Sequence, residues 1–231
     1  NSNTSMSWSK SVEMPRPDGR ITGGSCRKKL MSDHKGWDNA FTAKDPYGTV
    51  KGSPSFAGAL SFMRRKYSKD LQGVDVAVAG IPLDLATTNR PGARFGPRAI
   101  RAASPGISWD RPWPWDFDPF ERLAVVDYGD CEFDHGLPES IVPFVERFID
   151  EILANGTASL VMGGDHFVTY PVLRSYAKVH GPLSLVHFDA HSDTWGEKRQ
   201  RLNHGTMFYH AVREGLVDDS RSVQIGLRTT N

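Results

Sequence analysis

Cysteine is nearly absent from this chain of 231 residues: Cys26 and Cys131 stand far apart, with no CxxC pair and no zinc-finger spacing. That excludes a disulfide scaffold and a thiolate metal site, and it fits a reducing compartment, so a cytoplasmic protein is the expectation. Long hydrophobic runs are missing too. No stretch approaches the roughly 20 apolar residues of a membrane span, and the N-terminus carries no apolar signal core, so neither secretion nor a membrane partner is expected. Nor does one sign of charge prevail: 28 Lys and Arg face 27 Asp and Glu, a formal net charge of +1. Such a balance provides no field for nucleic acid, and function has to be sought in local chemistry.

What is present is an ordinary globular composition, 39% hydrophobic and 24% charged, with length enough for one sizeable core. Residues 1–73 are polar and punctuated by Ser, Gly, Pro and Lys, and they read as an N-terminal extension. Its short apolar patches, Trp37 to Phe41 and Phe56 to Phe62, are suited to docking on the domain or on a neighbouring subunit. Glu13, Asp18, Asp33 and Asp38 among the bases speak against a transit peptide.

From Val74 the character changes. Short β-branched runs at 74–80, 123–129, 158–164, 183–189 and 222–227 predict buried strands. Between the second and third, Ile141, Val145, Phe148, Ile149 and Ile152 recur at helical spacing, and Gly156 is placed to stop that helix. A further helix is predicted from about Thr169 to His180. Alternation of strand and helix predicts an α/β fold of three layers, α/β/α, with a doubly wound, mostly parallel sheet whose site lies outside the carboxyl ends of its strands. Residues 74–231 form that domain.

Acids and imidazoles collect at this edge. The third run ends in Gly163, Gly164, Asp165, His166, and the fourth runs into Asp189, Ala190, His191, Ser192, Asp193. In a chain that stays extended past Phe188, Asp189, His191 and Asp193 project to one side. Carboxylates so crowded oppose each other's ionisation unless a cation lies between them, and oxygen with imidazole donors favours manganese, with nickel or another divalent ion as substitutes. Taken singly, the GGDH turn reads as a glycine bend whose Asp caps the next helix, and a lone His as a hydrogen-bonded core imidazole. The conjunction of the two motifs favours metal. The arginines of RPGARFGPRAIR lack the GK(S/T) ending of a phosphate loop and read as a rigid loop feeding a helix at Pro97. Trp109, Trp113, Trp115, Phe117 and Phe120, broken by three prolines, read as a packed loop.

GGDHFVTYPVLR (163–174), VHFDAHSDTW (186–195), NHGTMFYHAVREGL (203–216) and SVQIGLR (222–228) resemble the ureohydrolases, most closely the agmatinases. The likeness extends to GIPLDLATTNRPGARFGPRAIRAAS (80–104) and FDPFERLAVVDYGD (117–130), and so covers about 74–231. It implies a binuclear manganese centre ligated by His166, Asp189, His191 and Asp193, with both aspartates placed to bridge, Asp165 behind them, and His204 as a catalytic proton carrier that binds no metal. It also implies hydrolysis of a cationic guanidino substrate by a hydroxide held between the metals, agmatine giving putrescine and urea, in a homo-oligomeric trimer or hexamer. The family's later Asp-x-Asp strand and its substrate-contacting glutamate have no counterpart up to Asn231, so a longer functional protein is expected. Competing readings are a ureohydrolase for guanidinobutyrate, guanidinopropionate or guanidine, and a non-catalytic metal-binding regulatory subunit.

Overall fold

The apolar runs and the helical periodicity generate parallel strands joined by helices. A computed structural model describes residues 55–85, 87–107, 111–196 and 201–229. Three strands, β1 (Val76–Ile81), β2 (Val125–Asp130) and β3 (Ala158–Gly163), pair in parallel in the order β2-β1-β3. The two remaining strands, β4 (Val186–Phe188) and β5 (Val223–Ile225), form a second parallel pair. Four α-helices lie among the described residues: α1 (Gly96–Ala103), α2 (Ile141–Ala154), α3 (Thr169–His180) and α4 (Met207–Arg213). Three of them were expected: α1 begins at the Pro97 site, α2 carries the 141–152 stripe, and α3 runs over the residues the sequence predicts. Gly156 adopts φ 68° just past α2, the left-handed conformation that ends a helix without a Cβ penalty.

Both faces of the first sheet are covered. Ala77, Ala79 and Ile81 of β1 and Val126 and Tyr128 of β2 pack on Ile141, Val145, Phe148, Ile149 and Ile152, the one stripe of α2. Each Val, Ile or Phe side chain among them, fully buried, contributes about 1.5–3 kcal/mol of transfer free energy. The alternate residues Val78 and Val125, with Met162, pack on Phe62 and Phe120. On that second face Asp127, with its side chain fully buried, accepts hydrogen bonds from Arg101 of α1 (Nε, 2.7 Å; Nη2, 2.9 Å) and from the amides of Phe62 (2.7 Å) and Gly129 (3.0 Å). The segment before β1 packs against the sheet: Tyr67 makes a parallel bridge to Asp127, and Leu71 is buried in the cluster on the α2 face. Phe56 remains exposed, while the Trp37 to Phe41 patch, Trp109 and everything before residue 55 lie outside the described residues.

The second sheet corrects one expectation. Its strands are not buried on both faces: Val186, Phe188, Val223 and Ile225 are exposed, and the alternate residues His187 and Gln224 turn inward. No described element lies over the outward face, and no described strand pairing joins β3 to β4. The aromatic loop is packed in part, with Trp115 stacked on Phe117 (centroids 5.4 Å apart) and Arg122 over that phenyl ring, while Trp113 is 92% exposed. No helix among the described residues is long and apolar enough to cross a membrane.

Candidate metal centre

The carboxyl ends of β3 and β4 deliver the acid and imidazole motifs to one place. After β3 the chain turns through Gly163 and Gly164, with Gly164 passing so close under the end of β1 that an added Cβ would lie 2.2 Å from the Leu83 carbonyl oxygen and 2.7 Å from that of Ile81. The neighbouring Asp165 amide donates to the same Leu83 carbonyl at 2.6 Å. Backbone cannot yield as a flexible side chain does, so Gly164→Ala is expected to cost about 1–3 kcal/mol and to displace His166, read as a lower denaturant midpoint and weaker metal binding. The Asp165 side chain accepts from the Phe167 amide at 2.9 Å, which is the capping role of the plainer reading.

Past β4 the chain does not remain extended. The Asp189 carboxylate accepts from the His191 amide (2.9 Å), closing a turn, and Asp193 adopts φ 53°. The spacing argument that placed Asp189, His191 and Asp193 on one side therefore rested on a wrong backbone. Bonds from the surroundings hold the turn: Asp189 N–H to Ile225, Arg228 N–H to Ala190 and Phe208 N–H to Asp193.

Within this frame His166, Asp189 and Asp193 converge, and His187 joins them; one donor atom from each of the four lies within 4.8 Å of the others. His166 Nδ1 is 2.9 Å from Asp193 Oδ2 and 3.4 Å from Asp189 Oδ2. His191 is not in this group. Its ring is largely exposed at the rim, with Nδ1 3.3 Å from Asp189 Oδ1. His204 stands to one side, Nδ1 3.6 Å from Asp165 Oδ1 and Nε2 2.9 Å from the Thr88 hydroxyl.

His187 was passed over in the sequence, although the two-residue spacing that selected 189, 191 and 193 includes it. Its tautomer follows from its neighbours. The Gln224 amide nitrogen is 2.7 Å from the Ser192 carbonyl and 3.0 Å from His187 Nδ1; the reversed amide would set two oxygens against each other at 2.7 Å. Gln224 thus donates to Nδ1, and the His187 proton resides on Nε2, a buried atom with no hydrogen-bond partner, 3.4 Å from Asp189 Oδ2. Burial, then the adjacent His166, lowers the His187 pKa against the opposing pull of Asp189 and Asp193. The neutral His187 imidazole thus stands beside the Asp189 carboxylate, with Nε2 3.4 Å from Oδ2 and no hydrogen bond between them. Burial raises the Asp189 pKa, but the His191 and Ala190 amides and the two imidazoles outweigh it and hold this carboxyl below its ordinary value. Phe208 packs under both His166 and His187, with centroids 5.9 Å and 4.7 Å away, and gives the group an apolar floor.

Two acids and two imidazoles gathered at the end of parallel strands are a donor set that could hold a divalent cation. Residues 74–231 match the arginase family. The chain belongs to that family. It is 57% identical over 196 residues to an agmatinase of Chromobacterium violaceum, covering 84% of this chain and 61% of that one. Among solved structures it resembles a hypothetical agmatinase from Burkholderia thailandensis (TM-score 0.77, 54% identity, 84% of this chain and 61% of that chain). It also resembles the proclavaminate amidino hydrolase of Streptomyces clavuligerus (TM-score 0.70, 38% identity, 78% and 60%). The chain thus spans about three fifths of the length of these relatives. The arginase fold accounts for the all-parallel pairing and for the site at the carboxyl ends of β3 and β4.

Proposed function

We propose that the protein hydrolyses agmatine to putrescine and urea with a divalent metal, manganese first and nickel as a substitute, held by His166, Asp189 and Asp193, with His191 closing the group from the solvent side. The observation that carries this reading is the convergence of His166, Asp189 and Asp193 with His187 over the Phe208 floor. The agmatinase names of relatives at 57% and 54% identity support the substrate.

The chemistry asks for such a site. A guanidinium is a delocalised cation, protonated at neutral pH and a poor electrophile. A paired divalent centre acidifies water and neutralises charge that develops on the attacked carbon's substituents. The residues of this chain do the rest. Asp189 and Asp193 would hold the cations at the edge of the sheet, and His204 gives a proton to the departing amine, so that water and agmatine leave as urea and putrescine. A second guanidino substrate is supported by one finding, the 38% identity to an enzyme named for proclavaminate, since the metal donors meet the guanidino end and leave the tail open.

The test is urea release by the manganese-loaded, full-length protein on agmatine, guanidinobutyrate and guanidine. Preference for agmatine, lowered about 100-fold or more in His204→Ala, supports the reading. Urea from another member of the panel moves the tail specificity, and no urea from any of them leaves the regulatory subunit in its place.

A further inference from the structure

We infer that Thr88 is a positioning residue for His204, presented by a loop that a buried carboxylate clamps in shape. The inference rests on the proton-transfer role proposed for His204. The two residues are 116 positions apart, one between β1 and α1 and the other between β4 and α4, and Thr88 Oγ1 meets His204 Nε2 at 2.9 Å. The distance from His204 Nδ1 to Asp165 is 3.6 Å, outside hydrogen-bonding range, so the Thr88 hydroxyl is the nearer constraint on the ring. An imidazole has a broad, two-fold torsion about its ring axis, and a single short bond at Nε2 selects one setting of it.

A surface threonine serves this purpose only if its own backbone is held. Asp84 provides that hold. Its carboxylate is almost wholly buried and accepts from the Gly92 amide (2.8 Å), the Arg94 amide (3.3 Å) and the Arg94 guanidinium, so the chain after Thr88 is tied back to an anion before it. The Thr87 hydroxyl adds a bond to the Asp84 carbonyl at 3.1 Å. Arg94 keeps the Asp84 carboxyl at a pKa of about 2, which leaves the clamp charged at any pH used for assay. Asp84, Thr88 and Arg94 all lie in the segment RPGARFGPRAIR and the six residues before it, whose arginines look superficially like a phosphate loop. One of those arginines has a different task here, that of holding the loop.

Thr88→Val keeps the shape and removes the hydroxyl, and Thr88→Ser keeps the hydroxyl. In the full-length, manganese-loaded protein, Thr88→Val is expected to lower kcat about 10- to 100-fold with KM changed less than about twofold, because the loss is of orientation and not of substrate contact. Thr88→Ser should retain kcat within about threefold. Nitrogen-15 spectra of the metal-free protein give a second readout: the Nε2 resonance of His204 moves in the valine variant and stays in the serine variant. A valine variant with wild-type kcat, a rise confined to KM, or a serine variant as impaired as valine overturns the inference. His204→Ala separates the two ideas, since full activity there defeats the role of His204 itself, whereas an inactive His204→Ala beside an unimpaired Thr88→Val defeats only the positioning role.

Discussion

Asp189→Asn is expected to weaken manganese binding by more than about 100-fold, beyond what loss of a supporting partner costs a metal site, and to abolish urea release at ordinary metal concentrations. Asp189 is the hub of the group. Its Oδ2 lies 3.4 Å from both His166 and His187, and its Oδ1 faces His191 at 3.3 Å while accepting the amide that shapes the turn. Asparagine retains an oxygen for that amide, so the backbone stays and the charge alone is lost. Metal content after dialysis, measured beside urea release, decides the matter: full occupancy in the variant would mean that the cation is held elsewhere. Ser192→Ala, which leaves the Ser192 carbonyl for Gln224, should change neither quantity.

Arg101→Leu should destabilise the protein by about 3–5 kcal/mol, because it strands a buried carboxylate without its cation. The Arg101 side chain is 7% exposed; it grips Asp127 through two nitrogens and reaches Asp130 at 2.7 Å with a third. Once the guanidinium is gone, Asp127 keeps only backbone donors, including the Phe62 and Gly129 amides, which cannot neutralise it. Since folded domains of this size are stable by only about 5–15 kcal/mol, the shift in urea midpoint is large. Arg101→Lys should fall between, having the charge without the fork. Arg101→Leu combined with Asp127→Leu should cost less than the sum of the two, for no charge is then left buried. A single-variant loss under about 1 kcal/mol would show that water reaches Asp127 and that the pair contributes little.

Periodicity made α2 readable because the stripe at 141, 145, 148, 149 and 152 has one buried outcome, and all five are buried. It misled at β4 and β5. Apolar runs there suggested two covered faces, yet burial depends on what lies opposite, and Phe188 is 74% exposed. The GGDH turn was legible through its glycines, one of which has Leu83 and Ile81 backbone against it. His187 was hidden by its place inside a strand, where a histidine reads as core, and its task became visible only with Gln224 and Ser192 beside it.

By itself the sequence determined the strands and helices of the first sheet, the segments that bear acids and imidazoles, and the edge on which they gather, since these follow from local periodicity and from the direction of parallel strands. Tertiary structure alone decided the rest. It bent the chain after Asp189, set His187 at the centre and His191 at the rim, joined Thr88 to His204 across 116 residues, and gave Arg101 a buried partner. The reason is physical: a side chain's partners at hydrogen-bonding distance come from remote segments, and no spacing along one strand records them.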